Sequence, residues 1–268
     1  MGPRASLLVL GLIGAPASRA ALNCPRDTTD RFPSVVKITR LDAPDDPRYC
    51  TGTLVQGCFL LTAAHCVHTG DAVAKPEAFK IEGGVSSTHN WGAVSQVYAH
   101  PNHVEFGDYD VALLKLARCP GGGMELGYEG LNTSADVTVG GYGARTLHRQ
   151  TRQPYRHMGP NRVTGIVGRQ ISIRGATIAP NGRDVVGRNP NCLPIGADSG
   201  SPLIQEGKVY GVHYAAGERW NPDGSTTLHG GAAINLSHPE IRSFIGATLQ
   251  AAASPASAAS PVPAAADH

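Results

Sequence analysis

An excess of either charge is what this chain lacks first: 23 Lys and Arg against 21 Asp and Glu leave a formal +2 over 268 residues. A balance of that kind recruits neither nucleic acid nor an anionic membrane, and neither is expected as a partner. Past its first twenty residues the chain has no apolar run long enough to span a bilayer. It has no internal repeat, and no sustained helical periodicity until close to its end. Its eleven histidines are scattered and show no metal-ligand spacing, so no metal and no organic cofactor is expected.

What is abundant is glycine, at 33 residues, and proline, at 20, in a chain that is 41% hydrophobic. That composition fits a β-rich, turn-rich protein with a sizeable core. Short apolar runs alternate with polar turns at Val35 to Ile38, Gly52 to Val55, Phe59 to Thr62 and Val111 to Leu116. A second series follows at Val137 to Tyr142, Val163 to Val167, Ile171 to Ile173, Val209 to Tyr214 and Leu228 to Leu236. Between them, Cys119-Pro120-Gly121-Gly122-Gly123 reads as a linker, dividing a first unit (21–120) from a second (121–250). One helix is predicted, with Ser237 as N-cap, Glu240 completing a capping box, and Ile241, Phe244, Ile245 and Leu249 on one face packing on the second unit.

The ends read differently. Arg4, the apolar stretch Ala5 to Ile13 and the small residues up to Ala20 have the order of an export signal, cut after Ala20 or after Ala17. The stretch 251–268 is almost entirely Ala, Ser and Pro, too poor in large apolar groups to fold. Export places the chain outside the cell or in a periplasm, where its six cysteines form disulfides whose pairing the count leaves open.

Three segments carry chemistry: Thr62-Ala63-Ala64-His65-Cys66, Asp110-Val111-Ala112-Leu113-Leu114 and Gly196-Ala197-Asp198-Ser199-Gly200-Ser201-Pro202. A serine hydroxyl needs an imidazole to take its proton, and the imidazole needs a carboxylate to fix its tautomer and stabilise its charged form. His65, Asp110 and Ser199 supply these groups in that order. Each segment alone has a bland reading as strand end, turn or small-residue loop; together they support one another.

On these motifs the chain resembles the trypsin/chymotrypsin-like serine proteases, over roughly Phe32 to Leu249. His100-Pro101, Gly141-Tyr142-Gly143 and the run from Gly231 to Ser237 extend the likeness. The resemblance implies an all-β fold of two six-stranded antiparallel barrels, with the site in the cleft between them and a C-terminal helix. It implies that His65 is general base, Asp110 its orienter and Ser199 the nucleophile of an endopeptidase acting through an acyl-enzyme. The backbone N–H groups of Ala197 and Ser199 would form the oxyanion hole. Protein or peptide substrates and a monomer are expected.

The departures from the family pattern matter equally. Glycine usually stands where this chain has Ala197 and Ser201. Positive φ at Ala197 would strain it by about 1 kcal/mol or more. The Ile-Val-Gly-Gly start whose amine pairs with the acid at Asp198 is missing before Phe32. The resemblance pairs Cys50 with Cys66 and, as in some plasminogen-activator-like members, Cys58 with Cys119. Cys24 and Cys192 remain, and a bridge between them would order the loop leading to Ser199.

Alignment on Ser199 puts His213, Tyr214, Ala215 and Ala216 on the wall of the substrate pocket and Leu193 near its floor. No acid stands there, which argues against cleavage after Lys or Arg. Gly211-Val212-His213-Tyr214 also resembles the glutamyl endopeptidases, where a histidine helps accept an acidic side chain; a space-filling strand histidine is the competing reading. Nine arginines between Arg145 and Arg188, against the single acid Asp184, read as solvated loop surface. Two rival functions stay open: a pseudoprotease that keeps the fold and binds a partner, and an esterase with the same triad. The absent Gly-x-Ser-x-Gly elbow and the triad order argue against the α/β-hydrolase route to esterase activity.

Overall fold

A computed structural model describes residues 22–42, 48–144, 146–147 and 154–253. The expected export signal at 1–20 and the tail beyond 253 lie outside the described residues. The first half contains β1 (Val35–Arg40), β2 (Tyr49–Val55), β3 (Phe59–Thr62), β4 (His68–Thr69), β5 (Ala72–Val73), β6 (Phe79–Gly83), β7 (His89–Asn90), β8 (Val94–Ala99) and β9 (Ala112–Leu116). The second contains β10 (Glu125–Leu126), β11 (Asp136–Gly141), β12 (His157–Val167), β13 (Gln170–Ile173), β14 (Ala176–Ile178), β15 (Pro202–Gln205), β16 (Lys208–Trp220) and β17 (Thr226–Asn235). The helix α1 spans Pro239–Ala253, so the expected low-complexity tail begins a few residues later than its composition suggests.

The second half is a closed barrel. Its ladders run β15-β11-β12-β13-β17, and β16 pairs with both β15 and β17, which closes six strands into a ring. The first half has the order β7-β6-β1-β2-β3-β9-β8: six main strands, as expected, with the short β7 added beyond β6. Its ladder stays open between β8 and the β6–β7 edge among the described residues. Closure of β15 onto β16 comes from the loop Glu206–Gly207, with φ of 49° and 79°. Positive φ at both central residues is the turn geometry that matches the twist of the flanking strands.

The halves meet through a small apolar cluster in which Val35 of β1 packs with Tyr142, Met158 and Ile204 of the second barrel. Polar bonds cross the same seam: the Tyr142 hydroxyl donates to Gly84 O at 2.6 Å. The linker runs along β2, where Gly123 has φ 104° and an added Cβ would lie 2.9 Å from Leu54 O. Glycine is required there by both conformation and space.

Two expectations change. The segment from Leu22 to Arg31 was grouped with the first unit, yet it lies on the second: Leu22 bridges Leu193 and Arg26 bridges His157. Fully buried Arg156 donates to Asp27 Oδ2 at 2.8 Å and to Val35 O at 3.1 Å, and also pairs with Asp30, so its charge is matched by carboxylates. The helix also differs. Its buried residues Ile241, Ile245 and Leu249 share a cluster with Val209 and Ile234, but Phe244 stacks near His100 of the first half at 4.8 Å. The capping box does not form: the Ser237 hydroxyl donates to Asn235 Oδ1, and Glu240 Oε2 accepts from Tyr109 and Arg169. Glu240 is drawn to a guanidinium and a phenol because the helix is pinned across both halves.

Candidate active site

His65 sits in a 3-10 turn, Ala64–Cys66, directly after β3. Asp110 precedes β9, and β3 and β9 are adjacent with Thr62 opposite Ala112. The register therefore sets the two side chains beside each other. Asp110 is fully buried; its Oδ2 accepts from His65 Nδ1 at 2.7 Å and its Oδ1 from the His65 backbone N–H at 2.9 Å. With Nδ1–H given to the carboxylate, the lone pair falls on Nε2, the nitrogen left to accept a proton.

The third segment is held from across the cleft. Thr51 of β2 donates its N–H to Ser199 O at 2.8 Å, and its hydroxyl donates to Ala197 O at 3.3 Å. Gly200 has φ 83°, and a Cβ there would lie 2.1 Å from both Thr51 O and Thr62 Oγ1. The loop can approach β2 this closely only with glycine at that position. Ala197 does adopt positive φ, at 69°, so the strain expected of an alanine is present. The N–H groups of Ala197 and Ser199 have no acceptor among the described residues. Two free, neighbouring donors are what an oxyanion requires.

Inside the loop, fully buried Asp198 accepts from Gly143 N–H at 2.8 Å and from Ile195 N–H at 3.0 Å. No cation pairs with it among the described residues. Burial pushes its pKa up to about 7, the two N–H bonds opposing. The disulfide Cys24–Cys192 forms as anticipated, together with Cys50–Cys66 and Cys58–Cys119.

His65, Ser199, Ala197 and His213 face one cleft of about 580 Å³ between the halves. Ser199 Oγ makes no hydrogen bond to the ring among the described residues. Tyr214, Ala215 and Ala216 line the cleft. Leu193 does not: it is 2% exposed, takes Leu22 as backbone partner and packs in an apolar cluster with Leu22 and Ile195. The N-terminal segment thus covers the surface expected to face a substrate. His213 lies at the back of the cleft, 2% exposed, with Nδ1 lacking a partner. Burial brings its pKa down to about 3, so it stands neutral.

Several cleft residues escaped the sequence reading: Arg48, Glu105, Phe106 and Glu218. Phe106, 56% exposed, leans over the His65 ring at 4.6 Å. An exposed aromatic four residues before Asp110 was the available signal for it. Of the arginine-rich stretch, Arg156 is buried, while Arg162 pairs with Asp136 and Arg169 with Asp108 and Glu240. Arg156 thus departs from the solvated-surface reading, while Arg162 and Arg169 have their charges matched by acids.

A fold of two β-halves with an imidazole, a carboxylate and a serine at their junction defines a class, and comparison with known proteins agrees. Solved structures of that fold superpose well. The scabies mite inactivated protease paralogue S-I1 covers 84% of this chain and 99% of its own, with a TM-score of 0.61 at 22% identity. Mouse neuropsin, described as a serine protease expressed in the limbic system, gives 0.61 at 14%, covering 82% and 95%. At such identities the likeness speaks for the fold alone. The family model for trypsin matches residues 26–227, and the chain belongs to that family, the trypsin/chymotrypsin-like serine proteases. Among its relatives, serine protease SP24D of Anopheles gambiae is 28% identical over 189 residues, 68% of this chain and 66% of that protein. Alkaline trypsin C of Manduca sexta is 30% identical over 185 residues, 61% and 67% respectively. The matches span about two thirds of the length of these relatives.

Proposed function

We propose that this trypsin-family chain is a secreted serine endopeptidase with His65, Asp110 and Ser199 as its catalytic groups. The observation that carries the reading is the buried Asp110 holding His65 by two hydrogen bonds, in one cleft with Ser199 and two unengaged N–H groups. Ser199 Oγ attacks the scissile carbonyl carbon while His65 Nε2 takes the hydroxyl proton. The carbonyl oxygen, now carrying the negative charge, is received by the N–H groups of Ala197 and Ser199. Collapse of the intermediate breaks the C–N bond, and the amine leaves with the proton from His65. Water then attacks the acyl-enzyme, with His65 as base, releasing the acid and restoring Ser199. Asp110 stabilises the imidazolium in both halves of the cycle.

The disulfide Cys24–Cys192 and the bridge from Leu22 to Leu193 support the Ser199 loop in the role that a newly cut N-terminus plays elsewhere in the family. His213, which lines the cleft, is positioned to meet a substrate side chain; neutral, it can donate one N–H to an acidic or amide group and brings no negative charge to attract Lys or Arg. Three disulfides fit the oxidising compartment that the expected export signal implies. The pseudoprotease reading draws on one observation, the strained alanine in the oxyanion loop.

Reaction of the mature protein with a fluorophosphonate, beside Ser199→Ala, tests the assignment. Labelling confined to Ser199, together with cleavage of casein or a peptide library, is the expected result. A folded sample that fails to label supports the binding-module reading, and labelling without peptide cleavage supports the esterase.

A further inference from the structure

Beside the His65–Asp110 pair lies a third imidazole to which the mechanism above gives no role. His103, in the loop between β8 and β9, has a side chain only 10% exposed, with Nδ1 3.7 Å from Asp110 Oδ1. That nitrogen has no hydrogen-bond partner among the described residues. The ring is stacked on His68 at 4.6 Å, with 25° between the planes. His68 is itself fixed, its Nδ1 donating to Ala64 O at 2.8 Å. The His103 backbone N–H donates to His100 O at 3.0 Å, which fixes the backbone that presents the ring.

Asp110 accepts two hydrogen bonds, and both come from His65. A carboxylate has about four lone-pair directions, and one left empty in a buried site is costly. The unpartnered Nδ1 of His103 lies 3.7 Å from Oδ1, a few tenths of an ångström outside hydrogen-bond reach.

We propose that His103 is a positioning residue whose Nδ1–H serves as a further donor to Asp110 Oδ1, closing on it as the site compacts around substrate. This rests on the catalytic reading of Asp110. An N–H directed at the carboxylate withdraws part of the negative field that His65 feels, and so holds down the basicity of His65 Nε2. The groups facing His103 are His65 and His68 from the turn and β4, Asp110 from the start of β9, and His100 and Glu105 from its own loop. Arg48 and Asp71 line the same cavity. Burial is the largest influence on His103 and lowers its pKa, with Asp110 acting in the opposite direction, so the neutral donor form persists while His65 works as a base.

Two measurements test this. In 15N NMR of the wild-type protein near neutral pH, His103 is expected as the Nδ1–H tautomer; an Nε2–H tautomer overturns the proposal. For the second, kcat/KM is followed against pH for His103→Leu and His103→Asn, the Asn amide nitrogen falling near the place of Nδ1. Leucine is expected to move the acidic limb upward by about half a pH unit, and asparagine to return it close to wild type. Limbs that coincide in leucine and wild type, or an asparagine variant that follows leucine, overturn the proposal. A leucine variant that fails to fold leaves the tautomer and the asparagine profile to decide. Absence of fluorophosphonate labelling at Ser199 would sink the catalytic reading instead, and the tautomer is still readable in that case.

Discussion

Ala197 and Gly200 both hold positive φ, at 69° and 83°, and only one of them is a glycine. Ala197→Gly relieves about 1–2 kcal/mol of left-handed strain but adds about 0.4–1 kcal/mol of unfolded-state entropy. Relief wins narrowly: a gain of about 0.5 kcal/mol in stability is expected, read from denaturant midpoints, with labelling of Ser199 retained or faster. Gly200→Ala has no such compensation. Its Cβ would meet Thr51 O and Thr62 Oγ1 at 2.1 Å, so the loop must retreat from β2. Loss of most fluorophosphonate reactivity is expected, and a variant that labels at the wild-type rate would show that the loop does not need this approach. His65, Asp110 and Ser199 were legible because each closes or opens an apolar strand with a characteristic small-residue neighbourhood. His103 was not, because its meaning depends on a 3.7 Å approach that spacing does not encode.

At the scale of elements, the strands read from apolar runs were recovered with ragged ends, and those missed have a physical reason. β6 reads FKIEG, alternating but with only Phe79 and Ile81 on its apolar face, and β8 is half exposed, so neither forms an apolar run. β1 is buried along its whole length yet contains Lys37 and Arg40. Its charges are tolerated because Arg40 donates to Cys66 O and His68 O and pairs with Asp42, while Lys37 stands 3.9 Å from Glu82. For the N-terminal segment, Cys24 and its expected bridge to Cys192 are the one signal in Leu22 to Arg31 of the half it joins, since its other partners Leu193, His157 and Arg156 are distant in sequence. Replacing Cys24 and Cys192 together by serine should cost about 2–5 kcal/mol. It should also slow Ser199 labelling more than a double replacement of Cys58 and Cys119. Equal labelling rates in the two variants would remove the supporting role assigned to the Cys24–Cys192 bridge.

For the molecule as a whole, two buried groups set opposing responses to acid. The Asp198 carboxyl is raised from 3.8 to about 7, so the folded state binds the extra proton and the contribution is lost as pH rises through about 7. His213 is lowered from 6.5 to about 3, so its contribution is present above 6.5 and is lost as pH falls toward about 3. Between about pH 4 and 6.5 the two nearly cancel. His213→Phe should therefore become more stable on acidification through that window, and Asp198→Asn less stable, relative to a flatter wild type. Melting temperatures across the window check this; parallel curves for all three proteins would show that neither group titrates as assigned.

The stitching of the first described residues to the second barrel also imposes an order in time. Cys24 leaves the ribosome, and crosses any membrane, 168 residues before its partner. Leu22, Cys24 and Arg26 then wait for Leu193, Cys192 and His157, all made much later, because closing so long a loop is disfavoured until the contacts that reward it exist. No partly made chain can assemble the cleft, and the earliest residues of the fold are among the last to settle. A cleft that depends on them stays incomplete until most of the second barrel has been made.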